Sequence, residues 1–265
     1  MRYLRIFLIH FHRVIENRSR SVVWTLLSIF NPLVYLCFWF AVYKSSGKVV
    51  GDLSLSELAS YYLLLTFAGS LLMAHIDESV AEEDIYEGGL VKYIVRPFSY
   101  FWDLYFGELG WRIFQGGLSI IVFVIFSYFL HSLSHFVSSP ILILLTLLSI
   151  ILAYTLSFIF RMILGFTAFW VTEFRGVQNV AETIILVFAG FVVPLQFLPV
   201  FMQKISYILP FAYMIYYPIL AIQGKLDFSQ MVKVLSTQAV WIVLLSLLYQ
   251  YMWRKGLKLF TGVGQ

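Results

Sequence analysis

Residues 77–97 read DESVAEEDIYEGGLVKYIVRP, an acidic stretch set between the apolar run LASYYLLLTFAGSLLMAHI at 58–76 and a second apolar run beginning near Ile113. Only 12% of the 265 residues are charged, yet eight of the fourteen acids fall between Asp77 and Glu108. Charge so scarce elsewhere and so concentrated here marks a segment in water between two that are not. The hydrophobic fraction is 61%, the aromatic fraction 19% and the mean hydropathy +0.87, far above the roughly half-apolar composition of water-soluble domains. The chain therefore reads as an all-α polytopic membrane protein, with no length left for a soluble catalytic domain. Its single cysteine, Cys37, lies in an apolar run without a partner, which excludes disulfides and cysteine-based metal sites.

A bilayer core takes about 20 apolar residues per helix. Six spans are expected on that measure, at 21–43, 58–76, 112–130, 141–170, 183–198 and 234–253. From Ile113 to Phe160 no Asp, Glu, Lys or Arg occurs, and the polar break from His131 to Pro140 divides this run in two. Residues 199–224 are apolar enough to cross but carry Pro199, Pro210 and Pro218. A proline costs a helix interior about 3 kcal/mol unless neighbours satisfy the freed carbonyl, so a re-entrant pair of short helices is expected there.

Charge asymmetry supports six spans. With the N-terminus inside, eleven Lys and Arg lie in cytoplasmic segments, and only Lys44, Lys48, Lys204, Lys225 and Lys233 lie outside. This obeys the positive-inside rule and puts both termini in the cytoplasm, whereas a seventh span would carry the basic tail Arg254–Lys258 outward. Residues 1–20 are no cleaved signal, because the run after them is of full span length and ends in no small-residue cleavage site. Arg2, Arg5, His12, Arg13 and Glu16 share one helical face and Leu4, Phe7, Phe11 and Val14 the other. That pattern predicts an interfacial helix with its arginines near anionic headgroups, either a plain anchor or a gating element.

On this topology the acidic stretch, 78–97, is cytoplasmic. Glu82, Glu83, Asp84 and Glu87 form a charged helical turn, Ile85, Leu90, Ile94 and Val95 supply apolar contacts, and Gly88 and Gly89 break the helix. A short helix with an acidic rim and an apolar centre suits insertion into a groove on a soluble partner. A solvated loop capping the bundle is the competing reading.

The stretch DIYEGGLVKYIVRPFSYFWDL (84–104) resembles the segment after the second span in permeases of the ABC-2 superfamily of ATP-binding-cassette exporters. GFTAFWVTE (165–173) resembles the family as well. So does FAGFVVPLQFLPVFMQKISYILPFAYMIYYPILAIQGK (188–225), in which a glycine, a proline, a Leu-Pro and a Pro-Phe follow the family's order. Together these cover nearly the whole chain, and the nearest branch is the small, drug-export-like permeases.

The resemblance implies an interfacial N-terminal helix, a coupling helix between spans two and three, and re-entrant helices on the outer side before the last span. It implies a cytoplasmic (inner) membrane, a second permease chain, identical or paralogous, and two separate ATPase subunits. No GxxxxGK[ST] phosphate loop occurs in the sequence. The chain is thus expected to be no enzyme and to bind no cofactor, with ATP and Mg held by the partner ATPase. Membrane lipids are further expected partners, and nucleic acid is not. The residues expected to meet the ATPase are Glu82, Glu83, Asp84, Ile85, Tyr86, Glu87 and Gly88, and the expected activity is export of an amphipathic compound such as a drug or lipid.

Four charges fall within apolar segments: Glu108, Arg112, Arg161 and Glu182. Arg161 precedes Thr172 by eleven residues, roughly 16 Å at 1.5 Å per residue, and a charge there faces the bundle interior or a wet cavity. Glu108 and Glu182 are its candidate partners, as structural ion pair or pathway lining. Glu108 and Arg112, at i and i+4, can also satisfy each other. His131 and His135 share that spacing without a carboxylate or cysteine nearby, a weak metal signal. An ion-coupled secondary transporter would show paired mid-membrane charges and inverted repeats, and a membrane enzyme a convergent catalytic set. Neither pattern is found, while an accessory subunit without a pathway stays open.

Overall fold

The computed structural model describes residues 2–16, 18–46, 54–95, 99–130 and 136–260, and among them every regular element is helical. The amphipathic N-terminal segment forms α1 (Arg2–Glu16) and the first apolar run α2 (Arg18–Ser46). The helix α2 continues through Asn31 and Pro32 without a break. The second run forms α3 (Leu55–Leu72), opened by a capping box in which Ser54 and Glu57 satisfy each other's backbone amides. It ends at Leu72, four residues before the apolar run does.

The acidic stretch begins as one turn, α4 (Asp77–Ser79), runs into a π-helical turn (Val80–Tyr86), and is followed by the short α5 (Val91–Ile94). Then come α6 (Tyr100–Leu130), α7 (Pro140–Phe166) with proline at its first turn, and α8 (Phe174–Phe188). The proline-rich segment gives α9 (Val200–Ile208), α10 (Phe211–Met214) and α11 (Tyr216–Ile222). The closing helix is α12 (Phe228–Gly256), capped by Asp227 and Gln230.

Two boundaries differ from the sequence reading for one reason. The third span was started at Arg112 and the fifth at 183 because charges were taken as ends, yet α6 begins at Tyr100 and α8 at Phe174. Glu108 pairs with Arg112 at 2.6 Å and Glu182 with Arg161 at 2.5 Å, so the helices carry these charges neutralised. The far end of the fifth expected span also moves. The helix α8 stops at Phe188, and Gly190 turns the chain at φ +86°, a conformation that disfavours side chains with a Cβ.

Among the described residues, four helical stretches are long and apolar enough to cross a membrane: Leu55–Tyr86, Tyr100–Ile125, Pro140–Phe169 and Phe228–Gly256. Val200–Ile208 with Phe211–Ile222 makes a fifth if counted as one span, bent by 67° at the break before Phe211. Within α2, Leu33–Ser45 is a shorter apolar helix. The spans differ in burial: the α3 window is 78% buried and that of α12 only 22%. So α3 is the central helix, and outward-facing Val240, Val243, Leu244 and Leu247 of α12 give an apolar surface suited to lipid.

Hydrogen bonds to carbonyls lock α3 in place. Tyr61 donates to Gly190 at 2.7 Å, Tyr62 to Val192 at 2.8 Å, and the Trp39 indole to the Tyr62 hydroxyl at 2.8 Å. Gln238 of α12 bridges the carbonyls of Ser149 and Tyr213. In an apolar medium such polar contacts fix which helix faces meet. The N-terminal helix α1 lies across α6, with His10 and Phe11 against Gly107 and Gly110.

Candidate functional site

The acidic turn has an inner and an outer face. Val80, Ala81, Asp84 and Leu90 are buried, whereas Glu78, Glu83 and Glu87 are exposed and Glu82, Ile85, Tyr86 and Gly88 are intermediate. The inner face is seated on α7: a Cβ built on Gly165 would lie 2.7 Å from Val80 and 2.9 Å from the Asp77 carbonyl. Only glycine permits this approach. The turn ends where Gly88 takes φ +78° and the Gly89 amide bonds to the Glu83 carbonyl.

Asp84 does not join the outward acids with which the sequence grouped it. Its carboxylate accepts from the Tyr100 hydroxyl at 2.8 Å and pairs with Lys92 at 3.1 Å. Buried carboxylates need such partners, so Asp84 anchors the turn from within. Tyr100 in turn stacks on Phe166 and Trp253, which ties the turn to the ends of α7 and α12. The Tyr86 hydroxyl is also spoken for, donating to the Val171 carbonyl at 2.5 Å. Of the four expected apolar contacts, Leu90 is interior, Ile85 is intermediate, and Ile94 and Val95 are open.

Behind the turn lies the buried Arg161. Its Nη1 donates to Asp77 at 3.1 Å and to Glu182 at 2.5 Å, and the Gln178 amide donates to Asp77 at 3.2 Å. Glu182 was an expected partner and Asp77 was not, because Asp77 reads in sequence as the first residue of a solvated island. Glu108 is not a partner of Arg161: it pairs with Arg112 and accepts from the His75 amide at 3.0 Å. The one available sequence signal for Asp77 was its place directly after an apolar run. Since Asp77 opens the acidic stretch, the cluster joins that stretch to α7 and α8.

A cleft of about 270 Å³ adjoins the cluster, lined by Tyr35, Leu65, Thr66, Gly69, Ser70, Met73, His75, Arg161, Glu182, Ile185, Leu186 and Phe191. No group of three or more potential metal ligands occurs among the described residues. His131, His135, Arg96 and Pro97 lie outside the described residues.

Long apolar helices surround a charged turn, and an ion cluster joins the two. Residues 29–264 match the family described as ABC-2 family transporter protein, nearly the whole chain. The chain belongs to the ABC-2 transporter family. No curated protein matches it. As an ABC-2 permease it is a multi-pass membrane component of an ABC transporter, distinct from the ATPase with which such a transporter works.

Proposed function

We propose that this permease is the membrane subunit of an exporter of amphipathic compounds such as drugs or lipids, and that its acidic turn is the element an ATPase subunit grips. In this reading α2, α3, α6, α7, α8 and α12 are six spans of the cytoplasmic (inner) membrane, with both termini cytoplasmic. The bent segment α9–α11 is re-entrant on the outer side, and α1 lies in the cytoplasmic interface. A second permease chain, identical or paralogous, completes the pathway, and ATP and Mg stay with the ATPase. The groove beside the end of α12, lined by Tyr251, Arg254, Lys255 and Lys258, suits anionic headgroups on the cytoplasmic leaflet.

One observation carries this reading: the turn presents Glu83 and Glu87 outward while its root, Asp77, is held by Arg161 of α7 and through it to Glu182 of α8. Movement of the turn is thereby passed to two spans without slack. Glu82, Glu83, Ile85, Tyr86, Glu87 and Gly88 form the contact surface, and Asp84 supports it from behind. Coupling requires that the ATPase bind the two access states with different affinity. Glu83→Lys/Glu87→Lys is expected to abolish copurification of the partner ATPase and stimulated ATP hydrolysis in nanodiscs, with the bundle intact. Unchanged association would move the weight to an ion-coupled transporter or an accessory subunit.

A further inference from the structure

The cleft beside Arg161 carries an unbalanced charge. Of its charged lining, Arg161 is shared between Glu182 and the buried Asp77 behind it, one cation between two carboxylates, which leaves one negative charge over. The Nε and Nη2 atoms of Arg161 have no partner and no accessible surface, and Asp77 is sealed beneath them. An occupant therefore meets Glu182, whose side chain is 43% exposed and whose Oε2 has no partner among the described residues. A carboxylate at such depth faces protein or a wet cavity, not hydrocarbon.

The remaining lining matches this charge. The His75 Nδ1 lies 3.0 Å from the Met73 carbonyl, and as the donor of that bond it leaves Nε2 a free acceptor on the cleft. Tyr35 and Phe191 supply aromatic walls, and the other lining residues are largely aliphatic. We propose that this cleft binds the cationic head of an amphiphile, an ammonium group whose tail follows the apolar wall. An ammonium neutralises the surplus charge, donates to Glu182 and His75, and is attracted to aromatic faces. An anionic head would meet Glu182 with no exposed cation to offset it. At about 270 Å³ the cleft lies just below the range of drug-sized sites, room for a head and its first carbons. The inference rests on the exporter reading only in making the occupant a transported substrate.

Equilibrium binding of radiolabelled decylammonium and decyl sulfate to the full chain in zwitterionic nanodiscs, counted against empty nanodiscs, tests the assignment. The expected result is saturable binding of the ammonium and not of the sulfate, weakened about tenfold or more in both Glu182→Gln and Gly69→Leu. Gly69→Leu keeps every charge and fills the cleft beside the Phe191 ring, 3.4 Å from its Cβ, so it decides the matter even if Glu182→Gln fails to fold. Ammonium binding unchanged in Gly69→Leu, or sulfate bound as tightly as ammonium, overturns the proposal. No ATPase is needed for this assay. Lost ammonium binding with intact ATPase association sinks the cleft alone, and the reverse sinks only the exporter reading.

Discussion

The two ends of the helix bundle are held by different chemistry. Near the start of α3, inside the partly exposed surface pair Glu57–Lys225 at 3.0 Å, neutral groups bond to neutral groups: Tyr61 and Tyr62 to the carbonyls after α8, Gln223 to Ser60, and Gln238 to Ser149 and Tyr213. At the opposite end of α3 the links are charged, with Asp77–Arg161–Glu182, Glu108–Arg112 and Asp84–Lys92. A neutral hydrogen bond contributes about 1 kcal/mol and fails alone. A buried ion cluster fails as a unit, because losing one member leaves a bare charge in a medium that cannot solvate it. In the proposed coupling, the charged end would shift its helices as one body, while the neutral end would hold the register about which they move.

The sharpest way to break this contrast is Arg161→Met, which leaves Asp77 and Glu182 facing each other. A loss of about 3–5 kcal/mol is expected, read by reversible unfolding in mixed micelles, and Asp77→Asn/Glu182→Gln added to it should restore much of that loss. A merely additive triple variant would show that the three residues do not act as a unit.

Gly165→Ala should rank next. The added methyl meets Val80 and the Asp77 carbonyl, and overpacking of this kind costs about 1–3 kcal/mol. It is expected to lift the acidic turn and reduce ATPase stimulation more than stability. At the neutral end, Tyr61→Phe or Gln238→Leu should cost only about 0.5–1.5 kcal/mol each, leaving ATPase stimulation near wild type. A larger loss of coupling from either would erase the distinction between the ends.

The smallest effect concerns α1. Burial holds the His10 imidazole below its ordinary value of 6.5, with Asp103 opposing and Arg13 adding to the shift. The folded state therefore prefers neutral His10, and its contribution is complete above pH 6.5 and lost as pH falls toward the lowered value. Amide exchange in α1, corrected for the intrinsic rate, should be faster at acid than at neutral pH, and His10→Phe should remove the difference.

Much of this molecule was legible beforehand because the bilayer demands long uncharged runs. The runs that became α3 and α7 were placed within four residues at each end and that of α12 within six, and the prolines of 199–224 announced a break, which falls between α9 and α10. The starts of α6 and α8 were not legible. Glu108 and Glu182 look like span ends until their partners are known, and Arg161 lies 21 residues from Glu182 and 84 from Asp77. The position of the acidic segment could be read directly, but not which of its acids turn inward.

By itself the sequence determined an all-helical membrane protein with a charged segment set off from its apolar runs, since composition and run length are local properties that the solvent selects on directly. Only the tertiary structure decided that Asp84 is buried as an anchor while Glu83 faces outward, and that Asp77 rather than Glu108 shares Arg161 with Glu182. Pairing depends on which helix faces meet, and packing around Gly165 and the hydrogen bonds of α3 set those faces over separations that no local pattern encodes.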